Sequence, residues 1–215
     1  MKHYAAYLFD ADGTLIDTTE LIYQCFVYTC RKFAGMELSR PEVVKHVGLT
    51  LRRHLELYLG PLSDEGFRTT AAAHMEYQMS IYPQYLRAFP GVLDALSALR
   101  AQHRTLAVVT SRRTESLTVY LRQTGLSGFF DCCVTPEDTT EHKPHPEPAQ
   151  RALALLGVAA RDALFVGDSS FDMECGASAG CDTAFVTWSH ITATSLASPP
   201  TWLIDDMREL VSTPA

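Results

Sequence analysis

Asp10 and Asp12 lie two residues apart in Phe9-Asp10-Ala11-Asp12-Gly13-Thr14-Leu15, just after a short apolar run. Two carboxylates so placed suit a division of labour. One attacks an electrophile as a covalent nucleophile, and the other passes a proton to the leaving group. The same letters also fit a strand ending in an ordinary Asp-Gly turn. A second acidic cluster, Val166-Gly167-Asp168-Ser169-Ser170-Phe171-Asp172, follows another apolar run. Hard oxygen donors at a strand end suit Mg²⁺, which takes one or two carboxylates and completes its shell with water and phosphate oxygens. Capping of a helix start is the alternative use of the same residues. Thr110-Ser111 ends the run Leu106-Ala107-Val108-Val109, where a hydroxyl and adjacent backbone N–H groups can hold a phosphate oxygen. Lys143 is one of four lysines, against fourteen arginines, and stands in Glu141-His142-Lys143-Pro144-His145-Pro146. A compact point charge in such a loop can organise a phosphate and a carboxylate together, or simply be solvated.

These residues need elements that bring them to one place. Apolar runs at Tyr4–Phe9, Thr105–Thr110, Phe130–Thr135, Ala163–Val166 and Thr183–Thr187, with a weaker one at Trp202–Ile204, read as strands. They are continuous rather than alternating, as expected of parallel strands covered on both faces. Helix patterns alternate with them: Val92 onward after Pro90-Gly91, Glu115–Gln123 before Gly125, and Pro146–Leu156 before Gly157. Such alternation implies βαβ units and a parallel sheet. Between about Thr18 and Phe89 the alternation stops. Leu21–Phe33, Pro41–Val47, Leu51–Leu59 and Glu65–Tyr82 read as helices, divided by Gly35, Gly48 and Gly60-Pro61, with no strand among them. The expected fold class is therefore α/β, a Rossmann-like parallel sheet with an all-helical unit inserted after strand 1. The core takes residues 1–17 and 89–215, and the insert takes 18–88.

All four chemical signals fall at C-terminal ends of expected strands, where α/β folds build sites. In their order (Asp-x-Asp-Gly-Thr-Leu, a strand ending in Thr110-Ser111, Lys143 before a proline, and the Gly167-Asp168-Ser169 block closing on Asp172) the chain resembles the haloacid dehalogenase superfamily in its phosphatase branch. The resemblance spans nearly the whole length. It implies that Asp10 is the nucleophile and forms an aspartyl-phosphate, and that Asp12 protonates the leaving oxygen and then activates water. It implies Mg²⁺ held by Asp10, the backbone carbonyl of Asp12, and Asp168, with Asp172 a nearby carboxylate behind them or linked through water. Thr110, the Ser111 backbone and Lys143 would hold phosphoryl oxygens. A carboxylate at Asp12 separates phosphatases from the metal-free dehalogenases of the same superfamily. The insert resembles a small helical cap that closes over the core and reads the leaving group.

The cap turn Val47-Gly48-Leu49-Thr50-Leu51-Arg52-Arg53 resembles that of phosphoglycolate phosphatases and related pyrophosphatases, as do Lys143–Pro148 and Phe185–Trp188. Phosphoglycolate-like substrates therefore lead, with pyrophosphate and sugar phosphates behind and a sugar-phosphate mutase as a further alternative. A phosphonoacetaldehyde hydrolase would need a cap lysine near that turn, and Lys32 and Lys45 are not on it. A catalytically idle binding module would show lost motif residues, and none is lost. Arg52 and Arg53 could read a substrate carboxylate or second phosphate, or be a solvated helix face. Ala11 stands where the family has a bulky apolar residue, and its small side chain would widen the space beside the nucleophile.

The chain has 215 residues, a net charge of −7 and 47% hydrophobic residues. That composition excludes disorder and, lacking a basic stripe, argues against nucleic-acid or membrane-surface partners. A small phosphorylated metabolite is the expected partner, bound by a monomer or a homodimer. Six cysteines without a CxxC pair read as buried thiols in a reducing, cytoplasmic setting. No signal peptide is expected at the N-terminus, and no apolar run approaches membrane length.

Overall fold

The computed structural model describes residues 2–211. Residues 212–215 of the expected core lie outside the described residues. Six parallel strands form one sheet: β1 (Ala6–Phe9), β4 (Thr105–Val109), β5 (Cys132–Val134), β6 (Ala163–Gly167), β7 (Asp182–Val186) and β8 (Trp202–Ile204), in the order β5-β4-β1-β6-β7-β8. Every expected strand is present. β1 lies at the centre, with Phe9 level with Val108 of β4 on one side and Val166 of β6 on the other. The chain order reverses at β1, so the crevice beyond its C-terminal end is the natural site of such a sheet.

The continuous apolar runs have the cause expected of them. Tyr7 and Phe9 of β1 enter a core on one face with Leu96, Leu99 and Tyr120, while Ala6 and Leu8 enter a core on the other with Ala149, Leu153 and Phe165. Helices α5 (Val92–Ala101), α6 (Thr114–Gln123), α7 (Glu147–Leu156) and α8 (Ser170–Ser178) supply those covers. Gly157 ends α7 in the left-handed region, at φ 68°.

The stretch between β1 and α5 is helical, with α1 (Thr19–Ala34), α2 (Arg40–Val44), α3 (Leu51–Leu59) and α4 (Asp64–Ile81). These helices have a core of their own, built from Phe26, Cys30, Leu38, Val43 and Leu55. One element differs from expectation. β2 (Ile16–Asp17) pairs antiparallel with β3 (Arg87–Ala88), so a two-residue strand does occur near the end of the helical stretch. It ties the outgoing chain to the returning one, and Phe89 N donates to Leu15 O at 3.0 Å beside it. Two residues are too few to carry a periodic signal in sequence.

The cysteines are all free, as expected, but not all buried. Cys25, Cys30, Cys175 and Cys181 are core, whereas Cys133 is exposed because β5 is the sheet's edge strand. Among the described residues no helix is long and apolar enough to cross a membrane.

Candidate active site

Asp10 is the first residue after β1, with its N–H donating to Val166 O at 2.9 Å. That bond continues the sheet ladder by one residue and fixes the carboxylate at the crevice. The chain then turns at Gly13, at φ 83°, a conformation that costs glycine least. A Cβ there would also stand 2.3 Å from Asp168 Oδ2, so the turn passes close against the second acidic cluster. Thr14 Oγ1 donates to Asp168 Oδ1 at 3.2 Å across the same gap. Asp172 belongs to a capping box at the start of α8: its Oδ2 accepts from Ser169 Oγ at 2.6 Å and from Ser169 N at 3.1 Å. The capping use weighed for this segment is therefore real, and its other oxygen remains for chemistry.

That oxygen meets Lys143. The ammonium donates to Asp172 Oδ1 at 2.6 Å, to Asp10 Oδ1 at 2.5 Å and to Val109 O at 3.2 Å. Lys143 is 3% exposed and Asp172 1%, so the cluster is dry. Asp10, Asp168 and Asp172 each offer one oxygen, all within 4.8 Å of one another. Asp172 thus lies beside Asp10 and Asp168, with Oδ1 taken by Lys143 and Oδ2 by Ser169.

Three buried carboxylates face one ammonium, and the balance shows at Asp10, Asp168 and Lys143. Burial pushes Asp10 up; Lys143 opposes this, but the charges of Asp172 and Asp12 add to it, and the result is about 7. Burial, then Asp172 and Asp10, hold Asp168 well above the ordinary carboxylate range. Burial alone would lower Lys143, yet Asp10 and Asp172 outweigh it and hold the amine above its usual value. The cluster is short of positive charge, and its all-oxygen donor set fits a hard divalent cation.

Thr110 and Ser111 follow β4 at the same edge. Thr110 Oγ1 accepts from Arg112 N at 3.1 Å, and Ser111 Oγ donates to Gly48 O at 2.6 Å, linking the sheet edge to the turn between α2 and α3. A cavity of about 70 Å³ lies between them, lined by Asp10, Asp12, Thr110, Ser111 and the helical unit's Gly48, Phe26, His74 and Gln78. The turn between α2 and α3 therefore shares this cavity with Asp10.

Arg52 donates to Asp64 Oδ1 at 2.9 and 3.0 Å, to Leu62 O and to Glu56, and lines a wider cleft shared with Ser111 and Arg113 rather than the cavity at Asp10. Arg53 is exposed, the solvated alternative weighed for it. His54 and Leu55 take the buried face of α3. Ala11 is buried in the core cluster with Phe9 and Leu15.

The residue that sequence reasoning missed is Arg112. Its Nε and Nη2 donate to Asp12 at 2.8 and 2.7 Å in a bidentate pair, with both side chains largely buried. The guanidinium lies over the Tyr120 ring at 4.2 Å. Its only sequence signal was adjacency to Thr110-Ser111.

The chain matches the haloacid dehalogenase-like hydrolase family over residues 7–186. The chain belongs to that family. A pyrophosphatase PpaX of Oceanobacillus iheyensis is 32% identical over 95% of this chain and 94% of its own length. A Caldanaerobacter subterraneus relative with the provisional name pyrophosphatase PpaX is 35% identical over 96% of this chain and 92% of its own. The crystal structure of a predicted phosphoglycolate phosphatase from Haemophilus somnus superposes with a TM-score of 0.85 at 25% identity, covering 98% of each chain. The enzyme class expected from the haloacid dehalogenase motifs, a phosphatase, holds.

The helical unit's own histidines are neutral. Burial pushes His54 down to about 3, with His46 and His74 adding to it, and burial with the Arg112 charge does the same for His74. A histidine depressed in the folded state takes up a proton only on unfolding, so the stability it contributes is present above pH 6.5 and is lost as pH falls toward 3. From pH 7 to pH 5 each should cost about 2 kcal/mol. Urea titrations of wild type and His74→Gln should therefore converge by about that amount on acidification. Parallel losses would show that His74 is charged in the fold.

Proposed function

We propose that this chain is a Mg²⁺-dependent phosphatase that hydrolyses a small phosphorylated substrate through an aspartyl-phosphate on Asp10, with the helical unit 18–88 acting as a cap over the core. The observation that carries this is the convergence of Asp10, Asp168, Asp172 and Lys143 in one dry cluster, with Asp12 on the wall of the adjoining cavity.

In the first half-reaction a carboxylate oxygen of Asp10 bonds to phosphorus, and the bond from phosphorus to the leaving oxygen breaks. Protonated Asp12 gives its proton to that oxygen. In the second half, Asp12 takes a proton from water as the water oxygen bonds to phosphorus. The bond to Asp10 then breaks and orthophosphate leaves, with one water consumed overall. Asp10 and Asp168, with Asp172 beside them, would hold Mg²⁺; the ion supplies positive charge that lets an anionic nucleophile meet an anionic substrate. Lys143 holds Asp10 in place through its hydrogen bond and presents charge to the phosphoryl oxygens. Thr110 and the Ser111 backbone complete the cradle, and the cap turn at Gly48 shields it from water.

Pyrophosphate is the leading substrate, supported by the names of relatives 32–35% identical over nearly the full chain. Phosphoglycolate, the substrate expected first from the cap turn, follows, supported by the name of a neighbour of matching fold at 25% identity. The small cavity agrees with either. Phosphate release from pyrophosphate, 2-phosphoglycolate and p-nitrophenyl phosphate, with Mg²⁺ or with EDTA, tests the reading. Metal-dependent release from at least one is expected, and none from any of them would overturn it.

A further inference from the structure

Arg112 and Asp12 hold one another at the wall of the cavity. The guanidinium occupies both oxygens of Asp12: Nη2 and Nε reach Oδ1 at 2.7 and 3.1 Å, and Nε reaches Oδ2 at 2.8 Å. A carboxylate held this way is turned toward the guanidinium, and only its outer lone pairs are left for a leaving oxygen or water. Opening of the clamp would release the rest for proton transfer by Asp12. Opening is costly without a substitute, because it would strand a largely buried guanidinium, stacked on Tyr120 and steadied by Ser116 Oγ at 3.4 Å, with no anion.

The cavity offers room for that substitute but no other cation from the helical side. Its lining residues there are apolar or neutral: Ile22, Phe26, Leu49 and Met75, with His54 and His74 uncharged and Gln78. Arg52 is spent on Asp64 and Glu56, and Arg113, on the sheet side, is paired with Glu137 at 3.1 Å. Gln78 adds an independent sign. The residue is 5% exposed and lines this cavity, and its Nε2 has no hydrogen-bond partner. A donor left unmade in a buried wall is expensive unless something bound there accepts from it.

We propose that Arg112, with the Gln78 amide, is the reader of a negatively charged leaving group, and that such a group frees Asp12 for proton transfer by taking its place on the guanidinium. The substrate class is then a phosphate joined to a small anion, either a second phosphate or a carboxylate, in preference to a phosphate ester of an uncharged alcohol. Arg112 thereby acts as a positioning residue for Asp12 and as the determinant of specificity. The inference rests on the reading of Asp10 and Asp12 given above.

The test compares kcat and KM for 2-phosphoglycolate, pyrophosphate and 2-hydroxyethyl phosphate, in which CH₂OH replaces the carboxylate of phosphoglycolate. Wild type should prefer the charged substrates. In Arg112→Gln the ratio of kcat/KM for charged over uncharged substrate should fall about 10²-fold. Arg112→Lys should keep part of the preference, since an ammonium supplies charge without the bidentate fork. The charged substrate whose ratio falls further identifies the physiological anion as phosphate or carboxylate. An unchanged ratio, with all three substrates falling together, would overturn the proposal and leave Arg112 a structural partner of Asp12. Should Arg112→Gln not fold, Arg112→Lys reads the same ratio. Loss of all metal-dependent turnover in wild type would instead fail the phosphatase reading itself.

Discussion

Asp10→Asn should lower phosphate release at least about 10³-fold and leave the fold intact. The amide has nearly the shape of the carboxylate, so the packing after β1 is kept. Its oxygen can still accept from Lys143, whose ammonium lies 2.5 Å from Asp10 Oδ1. What the amide cannot do is bond to phosphorus as an anionic nucleophile and leave again as a carboxylate. The variant also separates chemistry from stability. Burial and the charges of Asp172 and Asp12 drive Asp10 up to about 7 against the pull of Lys143, so its negative charge is a burden on the metal-free fold. Removing that charge should leave Tm in EDTA at or above the wild-type value. A variant that keeps turnover within tenfold would remove Asp10 as nucleophile. One that loses turnover together with Tm would show a folding defect rather than a chemical one.

Much of this site was legible in the sequence because its residues are fixed by local structure. Asp10, Thr110 and Asp168 each follow a continuous apolar run, and a parallel sheet brings the ends of such runs to one edge whatever lies between them. The strands themselves were legible for the same reason, since both faces of β1 are buried. Arg112 was not legible. Its partner is Asp12, one hundred residues away, and nothing in the letters Ser111-Arg112-Arg113 tells a clamp on that carboxylate from two solvated arginines at a helix start. Only one of the two is buried, and the choice is made by Tyr120, a turn and more further along α6, over whose ring the guanidinium lies. Arg52 and Arg53 are the opposite case. They were candidates because they follow the turn at Gly48, which does overhang the cavity. The helix beginning at Leu51 gives its inner face to His54 and Leu55, while Arg52 lines a wider cleft beside Ser111 and Arg53 is exposed. Asp172 fell between these cases: its helix-capping role was readable, but that its second oxygen is shared with Lys143 depends on a loop whose path from β5 to α7 no periodicity describes.

Lys143→Met should cost both stability and rate, and the two losses should respond differently to Mg²⁺. Methionine fills the same volume without charge, leaving Asp10 and Asp172 buried and without the ammonium that now stands 2.5 and 2.6 Å from them. Removing one partner of a buried ion pair costs roughly 3–5 kcal/mol, because the other partner remains desolvated. For a chain of this size about 2–4 °C of Tm accompanies each kcal/mol. A fall of about 10 °C in EDTA is therefore expected by thermal unfolding. Added Mg²⁺ should restore part of it, since a divalent cation near the same carboxylates offsets the missing charge. Turnover should fall about 10²-fold and stay low with Mg²⁺ present, because a cation would replace the missing charge but not the directed hydrogen bonds that the ammonium gives Asp10 and Asp172. Recovery of rate in step with Tm would make the lysine a counter-charge only. A Tm within 2 °C of wild type in EDTA would mean that the carboxylates share protons and need no ammonium. A Tm that recovers while the rate does not would place Lys143 in the chemistry, and would explain why it lies 3% exposed in a chain that meets most of its other needs for positive charge with arginine.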